Sequence, residues 1–133
     1  MKKILLGILF FTYTSSAYAD HLGPIYIGKE RSEFVTFCTT QESAEQLAKH
    51  EETSIKNKES LEKYIEDLRS QPFLASCRAE KITYTPQEIG YEWTGQKIYP
   101  DRTIELSVFH IVKSDAHGNT IYVMTPDPIG TSE

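Results

Sequence analysis

The chain has 133 residues, with 14 basic and 19 acidic side chains and a formal net charge of −5 at pH 7. Such a surface is a poor partner for nucleic acids and anionic membranes, because binding them depends on cationic groups that displace counterions. The length suits one domain with a modest hydrophobic core. We therefore expect a single small domain that does not bind nucleic acid.

The start of the chain has the three parts of a bacterial-style secretory signal peptide. Lys2 and Lys3 precede an apolar run over residues 4–11, and an A-x-A cleavage site follows at residues 17–19. The apolar run is too short for a membrane span, which needs about 20 apolar residues. We expect residues 1–19 to be removed, leaving a periplasmic or secreted domain over residues 20–133 without a stable membrane span. Losing Lys2 and Lys3 would leave 12 basic against 19 acidic residues, a net charge of −7.

The chain contains two cysteines, Cys38 and Cys77. Exported proteins favour disulfides, and an even number leaves no spare thiol. Neither cysteine has the neighbouring Cys or His residues that a zinc site requires. A catalytic thiol is the alternative, although it would leave the second cysteine as an unused reactive group. We predict a Cys38–Cys77 disulfide that constrains the unfolded chain by about 4 kcal/mol in the loop-entropy model.

The first half of the mature chain is predicted to be mainly helical. An irregular arm over residues 20–33 leads to an aromatic and β-branched stretch at 34–38, which predicts a strand. Thr39 and Glu42 match a capping box at the start of a helix. Apolar residues at helical spacing then predict two helices, over residues 40–52 and 58–70.

From Cys77 onward the apolar period becomes two, which is typical of strands. Four strands are predicted, over residues 78–85, 89–94, 103–113 and 120–125. A short tail, 126–133, begins at a proline. The division into a helical half and a strand half indicates an α+β fold. We expect an N-terminal strand, two helices packed on one face of the sheet, a four-stranded antiparallel β-meander and one disulfide.

His110, Asp115 and His117 form the nearest approach to a catalytic or metal-binding set. Asp and His are ordinary turn formers, however, and no recognised ligand spacing or catalytic motif is present. Glu88 and Glu92 would be about 13 Å apart along a strand, beyond the separation that glycosidases use. We therefore predict no catalytic residue, no metal site and no cofactor, and an enzyme is the less favoured class.

The strand predicted over residues 103–113 is apolar on both faces. One face carries Ile104, Leu106, Val108 and Val112. A loop over 115–118 would place Ile111 opposite Tyr122, and the other face would then carry Phe109, Ile111, Tyr122 and Met124. Two helices cover only one face, so we expect these last four side chains to need a further cover. The candidates are the N-terminal arm, curvature of the sheet, or a partner protein, and the four residues form our candidate protein interface.

These observations favour an exported, disulfide-stapled binding or accessory domain that acts on a protein or an envelope component. A second copy of the same chain is included among the protein partners. One alternative is a small secreted hydrolase whose catalytic residues come from dispersed positions. Another is a structural subunit of an envelope or secretion assembly. A deep polar pocket with converging acidic or histidine groups would favour the hydrolase, whereas an exposed apolar patch or groove would favour binding.

Overall fold

The computed structural model describes residues 23–130, so the predicted signal peptide lies outside the described part of the chain. The elements are, in chain order, β1 (Arg31–Cys38), α1 (Gln41–Lys56), α2 (Leu61–Arg69), a 3-10 helix (Pro72–Ser76), β2 (Cys77–Ile98), β3 (Ile104–Ala116) and β4 (Asn119–Thr125). The α+β class, with helices contacting an antiparallel sheet, is confirmed. Neither helix within these residues is both long enough and apolar enough to cross a membrane.

Helix α1 begins one residue later than the capping box predicts and extends further. The side-chain oxygen of Thr40, rather than that of Thr39, accepts a hydrogen bond from the Ser43 N–H at 3.1 Å. This satisfies one of the free amides of the first turn. The helix continues through the predicted break to Lys56, and Ser54 in this added turn is buried on the core side.

The four antiparallel strands close on themselves, since β1 pairs with both β2 and β4 and β3 lies between β2 and β4. Strand β2 is 22 residues long and covers both strands predicted over 78–85 and 89–94. Register shifts between Pro86 and Glu88, and again after Ile89, bend β2 without ending it. Pro86 did not stop the strand because it lies at the first of these bulges, where a sheet tolerates proline.

The turn between β3 and β4 is shorter than predicted. His117 and Gly118 have φ angles of 53° and 86°, and they close a two-residue turn of the kind that matches the twist of a hairpin. Ile111 is therefore opposite Met124, and not opposite Tyr122 as predicted. A shift of two residues keeps every side chain on its expected face.

The sheet has a separate cover on each face. A cluster between the helices and the sheet includes Leu47, Tyr64, Leu68, Trp93 and Phe109. A second cluster lies on the opposite face and consists of Val35, Phe37, Tyr84, Ile121 and Val123. Because this second cluster contains strand residues alone, the closure of the sheet covers it.

Cys38 and Cys77 are cross-strand neighbours on β1 and β2 and form the predicted disulfide. Both side chains are buried. The bridge joins the end of the strand before α1 to the start of the strand after α2, as the sequence indicates. A disulfide suits an oxidising compartment outside the cytoplasm.

The described part of the N-terminal arm, residues 23–33, packs on the C-terminal tail, and none of these residues belongs to the helix-covered cluster. Ile25 is fully buried and forms a bridge with Ile129. The buried guanidinium of Arg31 donates to Asp127 at 2.7 Å and also pairs with Glu33. Residues 23–33 therefore do not supply the additional cover that we considered for the last hairpin.

Candidate functional site

The four side chains predicted as a protein interface belong mainly to the core. Phe109, Ile111 and Met124 are at most 3% exposed and pack in the cluster beneath the helices. Tyr122 is half-buried against the same cluster. The helices therefore supply the cover that we expected these side chains to need, whereas part of the opposite face is bare.

The exposed apolar side chains of β3 lie on that opposite face. Ile104, Leu106 and Val108 are 53%, 58% and 49% exposed, and they alternate along the strand, so they share one side of the sheet. We call these three residues the apolar row. Their neighbours on β2 are, in the same order, Ile98, Gln96 and Thr94.

The backbone of the apolar row lies at an open edge of the sheet. Strand β3 pairs with β4 from His110 to Ala116, but no strand within residues 23–130 pairs with this edge between residues 104 and 108. On β2, the N–H groups of Thr94 and Gln96 are bonded to α1 and so point away from β3. Since backbone groups alternate along an antiparallel strand, the even-numbered residues of β3 point away from β2. The N–H and C=O groups of the apolar row therefore face solvent.

The opposite edge of the same hairpin is covered by two carboxylates of α1. Glu51 accepts the Gln96 N–H at 2.8 Å, and Glu52 accepts the Thr94 N–H at 3.1 Å. Proteins commonly block free edges with charged groups, prolines or bulges. Within residues 104–108 the one charged side chain is that of Glu105, and it lies on the other face, where its carboxylate accepts the Tyr99 hydroxyl.

Glu51 is an unusual carboxyl because it is almost completely buried. Desolvation raises its pKa to about 7, and the neighbouring Tyr64 hydroxyl and Gln96 amide offset only part of that effect. A carboxyl with a pKa near neutrality is one feature of acid–base catalysts. Here the carboxyl is bonded to the backbone of β2, so we interpret Glu51 as a cap on the sheet edge.

A stacked aromatic pair supports the hairpin from its inner face. The rings of Trp93 and Phe109 have centroids 4.7 Å apart. Gly95 leaves the space that they need, since a Cβ at this position would lie 2.6 Å from the Trp93 ring and 2.8 Å from the Phe109 ring. The apolar row is therefore presented on a hairpin that is packed on one face and bare on the other.

A small cleft of about 110 Å³ lies beside the start of α1. Tyr122, the predicted interface residue that reaches the surface, lines it together with Glu45, Glu88 and Lys113. Ligand sites for small molecules usually have volumes of roughly 300–1,000 Å³. The cleft is too small for such a site, and we assign it no ligand.

The residues considered for catalysis do not come together. His110 contacts Glu92 at 3.1 Å, whereas Asp115 accepts the Gly118 N–H in the turn that contains His117. His110 and Asp115 lie on opposite faces of β3, because their positions along the strand differ by an odd number. Among residues 23–130, no three His, Cys, Asp or Glu side chains are grouped to hold a metal ion.

We identified the residues of the apolar row from the sequence, but we expected the helices to cover them. Trp93 is the residue that could have indicated which face of the hairpin the helices cover. A hairpin that turns at residues 99–103 places Trp93 beside Phe109, and a large aromatic pair marks the face that is most in need of cover. The open edge has no comparable signal, since it depends on where β4 ends.

No protein-family model, curated protein or solved structure matches this chain. We therefore infer a function from the geometry of the site, because a fold class alone does not fix function.

Proposed function

We propose that this chain is an exported, disulfide-stapled binding or accessory domain that acts on a protein or an envelope component in the periplasm or outside the cell. The observation that carries the proposal is the coincidence of the apolar row with the open edge of β3. An added strand would bond to the backbone at this edge, and the alternate side chains of the row would contact it.

Charge favours a protein partner over a nucleic acid. The mature chain would carry 12 basic and 19 acidic side chains. The apolar row itself is uncharged, and the outward side chains beside it on β2 are Thr94, Gln96 and Ile98. Such a surface matches an extended apolar segment of a protein better than a polyanion.

Site-specific photo-cross-linking tests the proposal. A photoreactive phenylalanine derivative would replace Leu106 in the chain exported with its own leader from bacterial cells. The matched control places the same group at Lys81, an exposed position on β2 whose strand is paired with β1. We expect a discrete protein adduct from position 106 and only background from position 81.

The adduct should also depend on the rest of the row. Adding Ile104→Lys or Val108→Lys to the position 106 variant should reduce its yield, because a charge would be desolvated at the contact. Equal adduct yields from positions 106 and 81, or a yield that is insensitive to these lysines, would contradict the proposal.

A further inference from the structure

We infer that the occupant of the open edge is a second copy of this chain, with the two β3 strands paired antiparallel about a twofold axis at Leu106. The inference rests on the proposed function, since it names the partner of the same surface. It follows from the order of side chains along β3 and from the position at which β4 ends.

The backbone pattern allows this pairing to use the whole row. In a hydrogen-bonded antiparallel pair, both residues direct their N–H and C=O groups at each other. With the axis at Leu106, Ile104 of each copy faces Val108 of the other, and Leu106 faces Leu106. Each of the three outward-pointing residues therefore gains a backbone partner and an apolar cross-strand neighbour.

The two neighbouring registers are less favourable. A shift of two residues in one direction would place Glu105 opposite Glu105 of the second copy, and like charges directly opposite are destabilising. A shift in the other direction would require Ile104 to pair with His110, whose outward edge is already paired with Thr125 of β4. The register centred on Leu106 places Glu105 opposite Ser107 and avoids both problems.

The fold leaves room for the second strand. Strand β4 ends at Thr125, opposite His110, and the chain beyond it is bonded to the N-terminal arm, where Asp127 accepts from Arg31 and the Pro128 carbonyl accepts the Ile25 N–H. The second β3 would run in the same direction as β4 and begin where β4 stops. The loop over residues 99–103 turns back toward β2, since the Tyr99 N–H donates to the Thr103 carbonyl at 2.9 Å. The loop therefore does not cover the shared edge.

This pairing would join the two apolar rows into one strip of six side chains on the outer face. The shared edge is short, since it uses residues 104–108 of each copy, and stable protein interfaces usually bury about 1,200–2,000 Å². We therefore expect a weak dimer whose population depends on protein concentration.

Cysteine cross-linking tests the register directly. Cα atoms of a hydrogen-bonded antiparallel pair are about 5.5 Å apart, a distance that a disulfide spans. Under mild oxidation, Leu106→Cys should form a disulfide dimer about tenfold faster than Val108→Cys, whose copies would be about 13 Å apart along the paired strands. The double variant Ile104→Cys with Val108→Cys should cross-link efficiently, because its cysteines face each other.

Sedimentation of the otherwise native chain provides a second measurement. Leu106→Lys should remove the dimer without changing the melting temperature, because two lysines would meet at the axis while the exposed side chain leaves no cavity. Thr94→Lys, on the same face but on β2, is the matched control and should still dimerise.

Equal cross-linking of Leu106→Cys and Val108→Cys, or a chain that remains monomeric at high concentration, would overturn the inference. If photo-cross-linking at position 106 then captures a different protein, the proposed function stands and self-pairing alone is wrong. If position 106 gives no specific adduct either, both proposals are wrong.

Discussion

At the scale of a single residue, the buried carboxyl of Glu51 links stability to pH. Its pKa is about 7 in the folded chain, against 4.5 for an ordinary glutamate. The folded state therefore holds this proton more tightly than the unfolded state does. The resulting stabilisation is complete below the unfolded pKa and is lost as the pH rises through 7. A pKa unit corresponds to about 1.4 kcal/mol, so the full effect is roughly 3 kcal/mol.

Replacing Glu51 by glutamine should remove this dependence, since a glutamine oxygen still accepts the Gln96 N–H but does not ionise. Between pH 5 and pH 8, the wild-type chain should lose roughly 2–3 kcal/mol of unfolding free energy relative to Glu51→Gln. Urea unfolding at the two pH values measures the difference. Glu62→Gln, at an exposed position on α2, should follow the wild type. Parallel profiles for Glu51→Gln and the wild type would show that the carboxyl ionises normally.

At the scale of the hairpin, the packing around Gly95 determines how firmly the apolar row is held. A methyl group at this position would approach the ring atoms of Trp93 and Phe109 within 2.9 Å. Gly95→Ala should therefore destabilise the fold by about 1–3 kcal/mol through overpacking. Thr94→Ala is the control, because its side chain is exposed and the change should stay within about 0.5 kcal/mol.

Near-ultraviolet circular dichroism gives a second readout for Gly95→Ala. The chain has one tryptophan, Trp93, and its stacking on Phe109 should produce a distinct tertiary signal. We expect this signal to weaken in Gly95→Ala and to persist in Thr94→Ala. An unchanged signal and unchanged stability would mean that the ring pair adjusts without cost.

The helices and the disulfide could be predicted because their signals are local or compositional. Apolar spacing predicted both helices, and an even cysteine count together with the predicted signal peptide indicated the bridge. The continuous β2 could not be predicted in the same way. Pro86 is locally a strand breaker, and only pairing with distant strands turns it into a bulge within β2.

The position of the apolar row could not be predicted from the sequence either. Alternating apolar residues on both faces of β3 indicate that both faces need cover, but not which cover lies on which face. That choice depends on β1 pairing with β4, between residues far apart in the chain. The apolar row is bare because it extends beyond this closure, a property of the assembled sheet and not of residues 104–108.

At the scale of the whole molecule, the disulfide secures the strand that closes the sheet. Strand β1 is joined to β4 by three residue pairs only, Thr36, Phe37 and Cys38 with Met124, Val123 and Tyr122. Cys38 is one of these residues, and its sulfur is bonded to Cys77 at the start of β2. The bridge therefore acts at the shortest described contact between neighbouring strands.

Loss of the bridge should lower stability by about 4 kcal/mol, the loop-entropy value for its sequence separation of 39 residues. Cys38→Ser, Cys77→Ser and the double variant should be destabilised to a similar extent, because all three lose the same bond. Hydrogen exchange should locate the effect. Amides of β1 should lose protection first, since three pairs with β4 are a weak closure, while those pairing β2 with β3 should keep it under native conditions. If instead all strands lost protection together, the bridge would stabilise the fold only globally, and the closure by β1 would not be its weakest part.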